Sequence, residues 1–178
     1  MRKTQGRFIM ASNIIKRIKP NVGLTDDNRD GLAELLKFAL ADQHVLFMKM
    51  RNYHWNITGP QFQMLHELIQ EQYEDIAETI DDTAERIRQY GAVAPGTLRE
   101  MIDMTRLSEE PGEVPTAREM VANLVADHEA IIRQLREDTT TAGEKYGDVA
   151  IEDYFTNLIQ DHLKMAWLLR AHLEGEGI

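Results

Sequence analysis

The chain has 178 residues, 43% of them hydrophobic and 28% charged, which suits one domain with a substantial core. It carries no cysteine and no apolar run of membrane length, so disulfides, thiolate metal sites and a spanning helix are excluded, and a cytoplasmic chain is expected. The formal net charge of −10 is unevenly spread: Arg2, Lys3, Arg7, Lys16, Arg17 and Lys19 meet no acid before Asp26, which leaves the rest of the chain at −16.

On that basis the chain divides into a basic arm, residues 1–24, and a folded body, residues 25–178. An acidic body repels nucleic acid and attracts cations, whereas a basic arm does the reverse, so the arm is either a solvated tail or a segment that contacts phosphate. It lacks the apolar stretch and small-residue cleavage site of a signal peptide. Met10-Ala11-Ser12 has the form of a second translation start, one that would keep Lys16, Arg17 and Lys19.

Thr25 followed by Asp26 and Asp27 has the form of a helix N-cap and an acidic first turn, both favourable at the positive end of a helix dipole. Leu32, Leu35, Leu36, Ala39, Leu40, Leu46, Phe47 and Met50 then recur with helical spacing, which predicts a first helix to about Ile57. Gly59-Pro60 breaks it, and Pro60 suits the first position of the next helix, where a missing N–H costs nothing. The second helix carries Phe62, Leu65, Leu68, Ile69, Tyr73, Ile76, Ile80, Ala84 and Ile87 and stops at Gly91, a good C-terminal cap. Residues 92–115 hold Pro95, Pro111 and Pro115 and read as a connection, interrupted by a short helix that the capping box Thr97-Leu98-Arg99-Glu100 opens. A second capping box, Thr116-Ala117-Arg118-Glu119, opens the third long helix, which is expected to fade near Thr139-Thr140-Thr141 or Gly143. The fourth runs from Asp148 to about Leu173. This pattern specifies an all-α, up-down-down-up four-helix bundle of the ferritin type, with a short extra helix in the crossover between helices two and three.

The six histidines are His44, His54, His66, His128, His162 and His172. The residues three before them are Ala41, Arg51, Gln63, Val125, Ile159 and Leu169, so the Glu-x-x-His pairs of an intra-bundle di-iron centre are absent. What stands out instead is Asn52-Tyr53-His54-Trp55-Asn56-Ile57-Thr58-Gly59-Pro60, followed by His66, Asp81 and Glu85. Two imidazoles and two carboxylates suit iron, manganese or zinc. His66 and Asp81 share one helix and lie roughly 22 Å apart at ~1.5 Å per residue, so one chain cannot gather all four around one ion. If they form a site, a second copy runs antiparallel alongside, and a twofold axis makes two such sites per pair.

The segment from Arg51 to Gly91, with His54-Trp55-Asn56-Ile57-Thr58-Gly59-Pro60, then His66, then Ile80-Asp81-Asp82-Thr83-Ala84-Glu85-Arg86-Ile87, resembles the signature of the Dps family, the mini-ferritins that protect DNA in starved cells. Met165-Ala166-Trp167-Leu168-Leu169-Arg170 extends the likeness more loosely into the last helix. The resemblance implies a homo-oligomer, a hollow dodecamer with a ferroxidase centre at each twofold interface, where His54 and His66 of one subunit face Asp81 and Glu85 of its partner. It also implies hydrogen peroxide as the favoured oxidant of Fe²⁺, with ferric iron stored in the cavity. Two alternatives stand beside this: a nucleoid-associated protein that condenses DNA through the basic arm, and an iron or zinc store with slow oxidation. Gln70 keeps the second alternative open. The family usually has a carboxylate four residues after the second histidine, and an uncharged amide binds the second metal more weakly. Glu67 or Glu74 is placed to substitute for it. His162 either adds an imidazole or is a histidine without metal, the second being the commoner case. Zinc also suits so nitrogen-rich a site.

The remaining polar clusters are weaker signals. Asp127-His128-Glu129 reads as a solvated face, because consecutive helical residues point apart. Asp148, Glu152 and Asp153 resemble by position the acids that line the threefold pores of such cages, or else they cap the last helix and complement its dipole. Trp55 and Trp167 are expected in the core, with Trp55 against the metal site, and the nine methionines are expected as core fillers.

Overall fold

The computed structural model of the protein describes residues 18–174, and within them the chain forms five α-helices and no strand. Arg2, Lys3, Arg7, Lys16 and Arg17 of the basic arm lie outside the described residues, as does Met10. Lys19 lies within them and pairs with Asp26 at the protein surface.

Helix α1 (Asp26–Asn56) starts where the sequence predicts: Thr25 is extended, and its hydroxyl accepts the Asn28 N–H at 3.2 Å. Helix α2 (Phe62–Gln89) starts two residues later than the position of Pro60 suggested. Pro60 and Gln61 are used in a turn closed by the Phe62 N–H on the Gly59 carbonyl at 3.1 Å, so the missing proline N–H falls in the turn and not in the helix. Gly91 ends α2 with a φ of 84°, a left-handed conformation that glycine adopts without strain, while the Ala92 N–H reaches back to the Ile87 carbonyl at 3.1 Å. A side chain at Gly91 would stand 2.8 Å from Pro20, so the entry segment packs directly on the end of α2.

The crossover is fastened rather than loose. Its helix α3 (Leu98–Met104) opens with the full capping box of Thr97 and Glu100. Just after it, buried Asp42 of α1 accepts the Thr105 hydroxyl at 2.9 Å, the Arg106 backbone N–H at 2.6 Å and the Arg106 Nε–H at 2.8 Å. Arg106 also donates to Asp138 at 2.8 Å, and so ties α1, the crossover and α4 (Ala117–Thr140) together. Where α4 was expected to fade, it runs on into a π-helical turn, Thr141–Lys145. The hydroxyls of Thr139, Thr140 and Thr141 donate to the carbonyls four residues back at 2.6, 3.1 and 2.9 Å, which satisfies them inside the helix and competes with its backbone ladder just where the π-helical turn begins. The chain then brings the hydroxyl end of the Tyr146 ring against Gly31, where a Cβ would meet the ring at 2.3 Å, and α5 (Val149–Leu173) begins under the Asp148 cap.

The long helices pack α1 against α2 and α4 against α5, with α1 also touching α4 and with α2 bonded to α5 through Gln72 and Thr83. The result is the predicted up-down-down-up bundle. Leu32, Leu36, Leu65, Ile69, Leu124 and Phe155 are completely buried at its centre, each worth about 1.5–3 kcal/mol of transfer free energy. Two expectations about side chains fail. Trp55 and Trp167 are 58% and 60% exposed, because each follows a buried residue, His54 or Ala166, by one helical step that turns the indole outward. Met50, Met101, Met120 and Met165 do fill the core, whereas Met48 and Met64 face out. No described helix is long and apolar enough to cross a membrane.

Candidate metal centre

His54 lies two residues before the end of α1 and His66 on the first turns of α2, so the short turn between them folds one ring onto the other. The imidazoles stack with centroids 3.6 Å apart and an interplanar angle of 19°. Each Nδ1 lies 2.9 Å from the other residue's backbone carbonyl, His54 on His66 and His66 on His54. A carbonyl oxygen only accepts, so Nδ1 carries the proton in both rings, and in the neutral imidazole Nε2 is the nitrogen that keeps the lone pair. That is the tautomer a metal needs, set by backbone bonds that also fix the ring planes. Tyr73 of α2 packs edge-on against His54 at 5.3 Å, and Phe62 lies 5.0 Å from His66. Tyr73 and Phe62, not the expected Trp55, are therefore the aromatic walls of the pair. The indole of Trp55 sits instead under the Arg51 guanidinium at 5.0 Å.

Asp81 and Glu85 stand one turn apart on the outer face of α2, both exposed, because Ile76, Thr83 and Ile87 take the inner face. Thr83 is held between Tyr154 at 2.5 Å and Gln43 at 3.0 Å, which sets the rotation of α2 at this level. Among the described residues, no three histidine, aspartate or glutamate side chains within the chain come together as a metal site. The candidate donors are therefore divided: two imidazoles at one end of α2 and two carboxylates, Asp81 about 22 Å and Glu85 about 28 Å from His66. Gln70 is half-buried one turn after His66, and its amide N–H donates to Glu74 at 2.8 Å, which directs the amide carbonyl away from that acid. Glu67 is engaged in the same way by Gln63 at 3.1 Å.

His162 is not with the stacked pair. It is 1% exposed, inside the bundle between α4 and α5, and its Nδ1 lies 2.8 Å from Nδ1 of His128, which is completely buried. The expected solvated face at Asp127-His128-Glu129 is thus overturned: Asp127 pairs with Lys49 at 2.5 Å, Glu129 pairs with Arg170 at 2.6 Å, and His128 points into the core. Burial holds His162 down to about 4, and burial together with His162 holds His128 well below its ordinary value, so both rings are neutral. Nothing local in the sequence signals this pair, since its members are 34 residues apart. Of the three acids at the start of α5, Asp148 is used as a cap. It accepts the Ala150 and Ile151 N–H groups at 2.9 and 2.8 Å and the Tyr90 hydroxyl at 2.7 Å, and this hydroxyl is pushed above its usual range by burial and by Asp148. Asp153 remains exposed.

A ferritin-like domain model matches residues 33–176. A low temperature-induced protein of Nostoc is 43% identical over 158 residues, 89% of this chain and 88% of its own length. The DNA protection during starvation protein of Helicobacter pylori is 37% identical over 140 residues, 79% of this chain and 96% of its own. Among solved structures, DpsC from Streptomyces coelicolor superposes with a TM-score of 0.87 at 27% identity, covering 93% of this chain and 98% of that one. With the bundle, the crossover helix and the divided histidine and carboxylate pairs already described, these likenesses place the chain in the Dps family of ferritin-like proteins.

Proposed function

We propose that the protein is a ferroxidase and iron store that protects DNA from oxidative damage. Its site is assembled from His54 and His66 of one subunit and Asp81 and Glu85 of an antiparallel partner. The observation that carries this reading is the locked histidine stack: both rings present Nε2 to a metal, yet among the described residues no third histidine or carboxylate of the same chain joins them. An isologous pair of copies supplies the missing carboxylates twice over. Fe²⁺ is the substrate. Two Fe²⁺ give one electron each to hydrogen peroxide, the O–O bond breaks, two protons are taken up, and two waters leave with no hydroxyl radical. Asp81 and Glu85 favour the product because hard anionic oxygen suits Fe³⁺ over Fe²⁺. The ferric product is stored inside a closed cage of twelve subunits. Zn²⁺ fits the same donors and would occupy the site without turnover.

Complementation tests the division of the site. Both His54→Ala/His66→Ala and Asp81→Asn/Glu85→Gln should oxidise Fe²⁺ with peroxide at the protein-free rate in stopped-flow absorbance. Unfolding the two variants together and refolding them restores one intact site in each mixed pair, so about a quarter of wild-type activity should return on statistical mixing. No recovery in particles that mass spectrometry proves to be mixed would reject the shared site.

A further inference from the structure

A groove of about 580 Å³ runs beside the stacked histidines, between the end of α1 and the start of α4, and is roofed by the crossover loop. Its lining includes Glu109, Glu110, Glu113 and Asp127 against a single lysine, Lys49, which Asp127 already neutralises. Burial pushes the Asp127 carboxyl above its usual range despite Lys49, and the nearby Glu110 carboxylate adds to the push. The floor is apolar and open to solvent, with Trp55 58% and Met48 42% exposed. An acidic rim around exposed indole and thioether is matched by a segment that alternates cations with large apolar side chains. The chain carries such a segment: Arg2, Lys3 and Arg7 lead into Phe8, Ile9 and Met10, and Ile14 and Ile15 into Lys16 and Arg17, with no carboxylate before Asp26.

We infer that this groove is the docking site for residues 1–17 of the partner subunit. The inference rests on the shared site proposed above, which decides whose arm arrives. Pro20 packs on Gly91, ten residues beyond Asp81, so the root of each arm lies roughly 15 Å from its own Asp81. In the antiparallel pair that Asp81 faces the other subunit's His54, whose neighbours Asn52, Tyr53 and Trp55 line the groove. The root of the partner's arm therefore lies toward the same end of the bundle as the groove, and seventeen residues, able to span roughly 55 Å, reach and cross it easily. A subunit's own arm starts at the opposite end of α1, about 43 Å from Trp55, and would have to be stretched nearly straight to bring Arg7 there. Docking uses up the cations that would otherwise meet DNA phosphates, and it buries Trp55, which the single chain leaves in water.

The test uses the full-length chain with Trp167→Phe, so that Trp55 alone emits. Equal amounts of ¹⁵N-labelled and unlabelled protein are refolded together, treated with a carbodiimide that joins amines to carboxylates, and digested for mass spectrometry. Mixed-isotope peptides should link Lys3 or Lys16 to Glu109, Glu110 or Glu113. Emission from Trp55 should shift to the red in 1 M salt. Both signals should be lost in Glu109→Gln/Glu110→Gln/Glu113→Gln and also in Arg2→Glu/Lys3→Glu/Arg7→Glu. Light scattering separates the two layers of the argument. An intact oligomer without such links, or with Trp55 emission indifferent to both variants, overturns the docking and leaves the shared site standing; a monomer overturns both.

Discussion

At the scale of single residues, the tautomers of His54 and His66 matter more than their presence. Two histidines twelve positions apart are a weak signal, but two rings that each donate Nδ1–H to the other's carbonyl form one prepared ligand surface. Gln70 limits what that surface holds. Its amide carries no charge, so Gln70→Glu should add a metal equivalent per subunit and speed peroxide-dependent oxidation, measured by anaerobic Fe²⁺ titration calorimetry and stopped flow. The buried pair His128 and His162 makes a different prediction. In the unfolded chain both imidazoles take up protons near pH 6.5, whereas the folded protein keeps them neutral, His162 to about pH 4. Stability from this source is complete above pH 6.5 and is lost as the pH falls toward 4, by up to about 1.4 kcal/mol per pH unit for each ring. Urea unfolding at pH 7.5, 6.0 and 5.0 should show the fall, and His128→Leu/His162→Leu should flatten it.

At the scale of elements, the crossover departs most from its sequence appearance. Its prolines and glycines read as a plain connection, yet Arg106 and Asp42 anchor it to α1 and α4. Asp42 is 1% exposed and has its bonds only from Thr105 and Arg106 among the described residues. Arg106→Ala would strand that charge, and a cost of about 3–5 kcal/mol is expected in urea or thermal unfolding. Asp42→Asn/Arg106→Leu, which removes both charges, should cost clearly less. The anchor also holds the loop Ser108–Glu113 over the groove beside Trp55, so loosening it should raise the salt sensitivity of Trp55 emission.

At the scale of the whole molecule, the proposed function belongs to the assembly. A lone subunit has its two imidazoles about 22–28 Å from its two carboxylates. Diluting or mildly acidifying the particle until light scattering reports monomers should therefore reduce iron oxidation per subunit to the protein-free rate, and reassembly should restore it. Retention of activity in a verified monomer would place the site inside one bundle, against the division described here.

Helical period, capping boxes, the Gly91 stop and the spacing of His54, His66, Asp81 and Glu85 were legible in the sequence, because each depends on residues a few turns apart, where local geometry decides. The separation of His66 from Asp81 along α2 was legible in the same way, and the proposed shared site rests on it. What one dimension left open was set by contacts between distant segments: which indoles face water, how Arg106 reaches Asp42, how His128 meets His162, and which nitrogen of His54 keeps its lone pair. These depend on the rotation of each helix about its own axis in the packed bundle, and local spacing does not contain that angle.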